Sequence, residues 1–211
     1  MFVKNRMSPN PIWVSPEASI FEALDIMKQK KIRRLPVVDR GKLAGIVTQL
    51  DLLKVSPSPA TSLSVFEINY LIARMKVGEV MAREVVTVTP DTIIEEAALL
   101  MRDNRIGGLP VVDGDGRVVG IITETDIFDI FIDMLGLRRA GARLTLQVED
   151  RPGVLADITR IIKELDVSIA SLVTFPRREG LADLVIRLYI KDAGPVAEAL
   201  TRNGYQVIHV A

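Results

Sequence analysis

The feature that most constrains this chain is an internal repeat, because a segment that occurs twice is expected to fold twice in nearly the same way. Residues 7–39 and 81–113 share one frame, and the run LPVVD at 35–39 returns unchanged at 109–113. The second copy has one additional residue in the turn that follows this run, and the frame then resumes. Turn tips tolerate such insertions, so the two copies still predict two equivalent structural units.

Each copy predicts a strand, a helix, two further strands and a second helix. Apolar residues recur at helical spacing over 19–31 and again over 91–104. The LPVVD run and the glycine-containing stretch after it are typical of two buried strands joined by a polar turn. Thr48 and Thr123 stand where the second of these strands gives way to a helix. We expect both to cap that helix, because their hydroxyl oxygens can accept hydrogen bonds from free backbone amides.

The order of helix, LPVVD, hairpin and G-h-h-T-x-x-D (h, an apolar residue), found twice, resembles the CBS domain, and two copies in tandem resemble a CBS pair. The resemblance covers roughly residues 1–135. It implies two βαββα units packed about a pseudo-twofold axis, with clefts between them. We predict a first unit at 1–76, which includes a connecting helix that begins with a capping box of Ser64 and Glu67, and a second unit at 77–135.

Residues 142–211 follow a different pattern, which predicts a third domain. Its elements are expected in the order βαββαβ, the order of the ferredoxin-like fold. The first strand, over 143–148, ends in the turn sequence DRPG at 150–153, and an amphipathic helix follows. DRPGVL at this strand–helix turn resembles the ACT domain, a small-molecule sensing module. The fold class expected for the whole chain is therefore α+β.

A CBS pair followed by an ACT domain resembles the AcuB family of acetoin-utilisation proteins. The name of that family describes a genetic association. It therefore implies a connection with acetoin utilisation but supplies no reaction.

The resemblance also implies a set of ligand-binding residues, because in the CBS family the T-x-x-D element holds an adenosine ligand. A carboxylate at the start of a helix can accept hydrogen bonds from both ribose hydroxyls, and the free amides of the first turn can receive a phosphate. Carried over to this chain, the ribose would bind Asp51 and Asp126, the ribose–phosphate would lie near Thr48 and Thr123, and adenine would contact Ile32 and Ile106 with Val14 and Val88 on its other side. The alternative is that Thr and Asp serve only as helix N-terminal residues, where both are favoured.

The two copies differ immediately before LPVVD, where the first has Arg33 and Arg34 and the second has Gly107 and Gly108. In the family, the phosphate of a nucleotide on one motif is often met by this pair from the other motif. The resemblance therefore implies that the cleft of Asp126 faces two guanidiniums, which suit phosphate. The cleft of Asp51 would face only glycine and would carry no charge. The alternative for the arginines is a solvated helix end, where the helix dipole favours cations.

The third domain offers a separate candidate site. The resemblance to ACT domains implies an amino-acid ligand near Asp150 and the amides around Gly153, and Ser168 stands where family members commonly place a ligand-contacting polar residue, more usually Asn. A helix N-terminus at this turn would attract a carboxylate. The alternative is that DRPG is only a strand–helix turn and that the domain serves dimerisation.

Composition excludes several classes of function. The 27 Lys and Arg residues balance 27 Asp and Glu residues, which argues against nucleic acid or an anionic membrane as partner. With no cysteine and a single histidine, thiol catalysis, cysteine-based metal sites and multi-histidine metal sites are excluded. The first residues lack a signal-peptide core, and no P-loop or dinucleotide fingerprint is visible. We expect a cytoplasmic protein that is not an enzyme and has no metal site.

These inferences predict a non-enzymatic regulatory protein that requires no cofactor. Its CBS pair would sense AMP, ADP, ATP or S-adenosylmethionine as a regulatory ligand, and its ACT domain could sense a second small molecule such as an amino acid. We expect a homodimer that acts on an unidentified regulated protein. The alternative from another class is a ligand-free assembly or adaptor protein that dimerises through its CBS and ACT domains. An enzyme of acetoin or acyl metabolism has no supporting motif.

Overall fold

The computed structural model describes residues 1–54, 74–138 and 141–211. The connecting helix predicted to begin near Ser64 lies outside the described residues. The chain divides into two units, and the boundary between residues 127 and 128 falls inside a helix. In the part of the chain that is described, no helix is both long and apolar enough to cross a membrane.

The first unit contains the helix, the hairpin and the second helix that the repeat predicts, once per copy. In chain order its elements are a 3₁₀ turn Val3–Asn5, β1 Ser8–Pro9, α1 Ile20–Lys30, β2 Arg34–Asp39, β3 Lys42–Thr48, α2 Gln49–Lys54, α3 Val77–Val80, α4 Ile94–Asn104, β4 Gly108–Val112, β5 Val118–Thr123 and α5 Glu124–Met134, whose later part belongs to the second unit.

Local sequence explains where the helices begin and end. The Ser19 hydroxyl accepts a hydrogen bond from the backbone amide of Glu22 at 3.1 Å and so caps α1, as the pattern over 19–31 predicts. At the other end Lys31 adopts the left-handed conformation, with φ 55°, and Arg105 does the same after α4, with φ 54°. Helix α4 begins only at Ile94, later than the pattern over 91–104 predicts, because the backbone is still extended at the preceding residue.

Each repeat contributes one antiparallel hairpin, β2 with β3 and β4 with β5. Both hairpins carry a register shift at the same position of the repeat, between Val37 and Val38 and between Val111 and Val112. The strand predicted before the first helix of each unit is reduced to a single parallel bridge to the hairpin.

The first residues of each repeat pack on the other repeat. The backbone amide of Val3 donates to the Thr92 carbonyl at 2.8 Å, and β1 pairs with β5. In the equivalent place, the amide of Val77 donates to the Ala18 carbonyl at 2.9 Å, and Val77 is a buried member of the first repeat's core. The predicted bounds 1–76 and 77–135 follow the sequence repeat. In the folded unit, however, the initial segment of each repeat packs on the other repeat, so these segments are exchanged.

The second unit has the predicted ferredoxin-like topology, with one four-stranded antiparallel sheet in the order β7-β8-β6-β9. Side chains from one face of the sheet and from both helices form a single apolar core. The elements are β6 Arg143–Glu149, α6 Val154–Glu164, β7 Ile169–Pro176, β8 Leu181–Leu188, α7 Gly194–Arg202 and β9 Gln206–Val210.

Two equivalent glycines, Gly45 and Gly120, lie where the exchanged segments cross the hairpins. A Cβ atom added to Gly45 would lie 2.8 Å from the backbone oxygen of Ala82, which accepts a hydrogen bond from Ile46 at 3.0 Å. The three atoms nearest to a Cβ atom at Gly120 would all belong to the side chain of Met7. A Cβ atom at Gly45 would therefore clash with the backbone, whereas a Cβ atom at Gly120 would clash with a flexible side chain.

We therefore expect Gly45→Ala to lower the free energy of unfolding by about 1–3 kcal/mol, the usual cost of overpacking, because the β3 bridge to Ala82 must shift. Gly120→Ala should cost less, because the methionine side chain can move away. Urea unfolding of the full chain measures both values. Equal or greater destabilisation by Gly120→Ala would contradict the backbone contact with Ala82 as the cause of the difference.

Candidate functional site: two clefts between the repeats

The larger cleft of the first unit, here called the Asp126 cavity, has a volume of about 450 Å³. That size is within the range of small-molecule binding sites. Both repeats supply its walls, among them Ile32, Arg33, Arg34, Thr123, Glu124 and Asp126. The structure thus brings the arginine pair of the first repeat to the T-x-x-D element of the second.

The T-x-x-D element closes the first turn of α5 by reciprocal hydrogen bonds. Asp126 Oδ2 accepts from the Thr123 amide at 2.8 Å and from its hydroxyl at 2.7 Å. The Thr123 hydroxyl in turn accepts from the Asp126 amide at 3.4 Å. This geometry confirms the predicted capping role. Within the described residues these bonds engage only Oδ2, so Oδ1 of a partly buried carboxylate is left for a ligand.

The same arrangement is present at the start of α2. Asp51 Oδ2 accepts from the Thr48 amide at 2.9 Å and from the Thr48 hydroxyl at 2.6 Å, and that hydroxyl accepts from the Asp51 amide at 3.2 Å. The helix-capping role of both Thr–Asp pairs is therefore real. It leaves a ligand role open at both places, because a carboxylate has two oxygens.

The arginine pair does not form a solvated helix end. Helix α1 ends at Lys30, and Arg34 is already the first residue of β2, where it is half-buried, whereas Arg33 is exposed. Burial lowers the pKa of the Arg34 guanidinium, and the nearby charge of Arg33 lowers it further, while Glu124 and Asp126 raise it. A guanidinium stays charged in proteins, so the cleft contains a partly desolvated cation that an anion would stabilise.

Gly107 and Gly108 provide the space that the Arg34 side chain occupies. A Cβ atom on Gly107 would lie 2.7 Å from Arg34 Nη2 and 2.7 Å from Glu124 Oε2. On the buried Gly108, a Cβ atom would collide with Arg34 Nη1. The side chain of Arg34 from the first repeat therefore packs directly on the glycine pair of the second repeat.

The second cleft, here called the Thr48 cavity, is smaller, at about 240 Å³. It contains Thr48 and both glycines, as the family resemblance implies, and Ile106, but Asp51 is not among its lining residues. The expectation that this cleft carries no charge is wrong, because its walls also include Arg34, Arg105 and Glu84. Arg34 reaches it because the guanidinium lies over the glycine pair.

Val14 and Val88, expected beside adenine, line neither cleft. Each is only 4% exposed, and each pairs with the hairpin of its own repeat through backbone hydrogen bonds. Their place is taken by Ile12 in the Asp126 cavity and by Val86 in the Thr48 cavity. The repeat frame pairs these two apolar residues as well, but the frame alone does not distinguish a buried position from one that faces a cleft.

The three candidate residues of the ACT domain are not gathered at one place. Gly153 caps α6 with φ 89°, and the Asp150 amide donates to the Gly180 carbonyl at 2.8 Å, both near the start of that helix. Ser168 lies with Thr159 and Lys163 near its opposite end. An 11-residue helix is about 16 Å long, so one copy of the domain does not bring Ser168 to the DRPG turn.

Two further observations concern chemistry other than binding. His209 is exposed on the edge strand β9, opposite Thr145 of β6. In the described parts of the chain, no group of three or more His, Cys, Asp or Glu side chains is placed to hold a metal ion.

Comparison with known protein families agrees with the two-unit architecture. The model of the CBS domain matches residues 3–58 and 77–133, and the model of the ACT domain matches residues 142–202. A CBS domain-containing protein of Dictyostelium discoideum is 35% identical over 136 residues, which are 64% of this chain and 94% of that protein. The L-aspartate semialdehyde sulfurtransferase of Methanocaldococcus jannaschii is 36% identical over 132 residues, which are 61% of this chain but only 23% of the enzyme.

Solved structures of CBS pairs resemble the first unit. The CBS domain pair of protein MJ0100, in complex with 5′-methylthioadenosine and S-adenosyl-L-methionine, has 36% identity and a TM-score of 0.52 over 62% of this chain and 95% of that one. CBSX2 of Arabidopsis thaliana in complex with AMP has 31% identity and a TM-score of 0.53, over 65% of this chain and 98% of that one.

A Vibrio cholerae protein described as an acetoin utilization protein (AcuB) has 33% identity and a TM-score of 0.54, over 65% of this chain and 95% of its own. The CBS pair is a regulatory module, which in relatives such as the sulfurtransferase is one part of an enzyme. Because the two CBS matches cover more than half of its residues, this chain belongs to the CBS-domain proteins, with a CBS pair followed by an ACT domain.

Proposed function

We propose that the chain is a regulatory sensor without catalytic activity, whose CBS pair binds AMP, ADP, ATP or S-adenosylmethionine. One observation carries the proposal: a single cleft of about 450 Å³ combines a half-buried guanidinium, a carboxylate with one free oxygen, a hydroxyl and apolar side chains. The adenosine compounds bound to MJ0100 and the AMP bound to CBSX2 support the same ligand class.

Each part of such a ligand has a chemical counterpart in the Asp126 cavity. The ribose hydroxyls donate to the Asp126 oxygen that no described residue engages, the base packs between the apolar side chains of Ile12 and Ile32, and a phosphate accepts from Arg34. The amides of Glu124 and Asp126 already donate to Gly107 and Thr123, so Arg34 is the principal phosphate donor. We propose the corresponding roles for Thr48 and Ile106 in the Thr48 cavity, and for Asp51, which is hydrogen-bonded to Thr48 beside that cavity although it does not line it.

The proposal extends to the rest of the chain. Its three modules would comprise residues 1–76, 77–135 and 142–211, with the initial segments of the CBS units exchanged in packing. The ACT domain would bind an amino acid near Asp150 and Gly153, with Ser168 supplied by a second copy of the domain because one copy separates them. A role in acetoin utilisation, exerted on a regulated protein, rests on the likeness to the AcuB structure.

A second candidate function is assembly, and the exposed face of α5 favours it. Phe128, Phe131 and Met134 recur at helical spacing and are 68%, 43% and 54% exposed. Such a stripe of large apolar side chains is typical of a surface that a partner covers. We propose that a second copy of the chain covers it, so that the protein is a homodimer. An adaptor with empty clefts would share this property.

Replacing the ribose carboxylate tests the sensor. We expect Asp126→Ala to weaken adenosine binding by about 1.5–3 kcal/mol, the range for hydrogen bonds to a charged group. Calorimetric titration of the full chain with adenosine measures the change. Asp51→Ala should weaken binding in the Thr48 cavity in the same way.

Because Asp126→Ala also removes the bonds that close the first turn of α5, Asp126→Asn is the matched control. An amide oxygen can still accept from the Thr123 backbone, so helix capping is retained while the charge is lost. Both variants should weaken binding. Unchanged affinity in the Asp126 and Asp51 variants would refute the ribose role.

The arginine pair should distinguish nucleotides from nucleosides. We expect the double change Arg33→Ala, Arg34→Ala to reduce AMP affinity about tenfold or more and adenosine affinity little, because only the phosphate loses charge-assisted hydrogen bonds. Added salt should lower the wild-type affinity for AMP and leave that for adenosine nearly constant. An equal loss for both ligands would make the arginines structural.

The apolar stripe of α5 should determine the oligomeric state. We expect light scattering to give twice the chain mass of 23.3 kDa, and Phe128→Glu with Phe131→Glu to give the single mass, because two buried charges would oppose the interface. Leu99→Glu, at a residue 55% exposed on α4, is the control and should remain dimeric. A mass of 23.3 kDa for the wild type across micromolar concentrations would exclude the dimer.

A further inference from the structure

The Arg34 side chain lines both clefts. It lines the Asp126 cavity together with Arg33 and Lys31, and it lines the Thr48 cavity together with Arg105. Of the cationic side chains around the two clefts, the other three each line one of them. The position of Arg34 over the glycine pair explains this reach, since Gly107 also lines both clefts.

Close packing fixes the guanidinium between the clefts. Arg34 Nη2 lies 2.7 Å from the position that a Cβ atom of Gly107 would occupy, and Nη1 lies over the buried Gly108. The side chain thus uses space that only a glycine pair leaves open. Rotation of the guanidinium toward one cleft withdraws its donors from the other.

We infer that Arg34 is a phosphate-binding group shared by the two clefts, so that a phosphate bound in one cleft removes this cation from the other. The inference deepens the proposed function and rests on it. It predicts negative coupling between two nucleotides on one chain and no such coupling between two uncharged nucleosides, which do not use the guanidinium.

The remaining charges determine how strong the coupling can be. A second phosphate would still meet Arg105 in the Thr48 cavity, or Arg33 and Lys31 in the Asp126 cavity, so it is weakened rather than excluded. Glu84 in the Thr48 cavity and Glu124 in the Asp126 cavity would oppose a phosphate that lacks Arg34. Loss of one charge-assisted contact corresponds to about a tenfold or greater loss of affinity.

The test compares AMP with adenosine by calorimetry on the full chain. Asp51→Ala and Asp126→Ala each weaken one cleft, so that titration at low ligand concentration fills the other cleft first and provides its separate association constant. The coupling factor is the product of the two wild-type stepwise constants divided by the product of these separate constants. We expect about 0.1 or less for AMP, or a single bound AMP per chain, and a value near 1 for adenosine.

Three variants isolate Arg34 as the cause. Arg34→Gln and Gly108→Ala should both bring the AMP factor close to 1, the first by removing the guanidinium and the second because the new Cβ atom displaces it. Gly108→Ala keeps the arginine in the chain and serves if Arg34→Gln does not fold. Arg33→Gln, at a residue that lines only the Asp126 cavity, should weaken AMP there and leave the factor at about 0.1.

The outcomes separate the two proposals. An AMP factor near 1 in the wild type, with both clefts filled, overturns the shared role of Arg34 and leaves the sensor intact. A low factor that persists in Arg34→Gln and Gly108→Ala also overturns it. If AMP does not bind, the inference fails, and if ADP, ATP, S-adenosylmethionine and adenosine do not bind either, the proposed function fails with it.

Discussion

The clefts of this protein depend on the reciprocal hydrogen bonds between threonine and aspartate at the first turns of α2 and α5. These bonds end a β-hairpin and begin a helix within four residues, which fixes the carboxylate where strand and helix meet. One carboxylate oxygen closes the turn, and the other is left unengaged by the described residues. The structural cap and the proposed ligand-binding group are therefore the same side chain, and the two interpretations of T-x-x-D are not exclusive.

The largest functional difference between the repeats lies where one copy has two arginines and the other two glycines. An arginine in one repeat needs the glycines of the other, because a Cβ atom at Gly108 would occupy the position of the guanidinium. The arginine pair of one repeat and the glycine pair of the other are thus one matched feature rather than two independent sequence differences. It gives the larger cleft three cations and extends one of them, Arg34, into the smaller cleft.

The repeat and the DRPG turn were sufficient to predict the α+β fold, because strand, helix and turn patterns are local. The pairing of the arginines with the Asp126 cavity followed only from the family resemblance. Which apolar residue faces a cleft depends on packing between the repeats, so Val14 was predicted where Ile12 lies. The charge of the Thr48 cavity is mispredicted for the same reason, since Arg34 of the first repeat lies over the glycine pair and the second repeat adds Glu84 and Arg105.

A cation shared by the two clefts changes which combinations of ligands the clefts can distinguish. In the proposed arrangement, ribose and base would be recognised twice, by two carboxylates and two sets of apolar walls, whereas one guanidinium would serve phosphate in both clefts. Two nucleotides on one chain then compete for the same charge, while a nucleotide beside a phosphate-free adenosine compound does not. Suppose that the repeats are arranged differently when Arg34 faces the Asp126 cavity and when it faces the Thr48 cavity. Mixed occupancy, with a nucleotide in one cleft and a phosphate-free adenosine compound in the other, would then favour one of these two arrangements. Ligand identity, and not only ligand concentration, would then select the state of the module, because a ligand shifts an equilibrium only by its differential affinity.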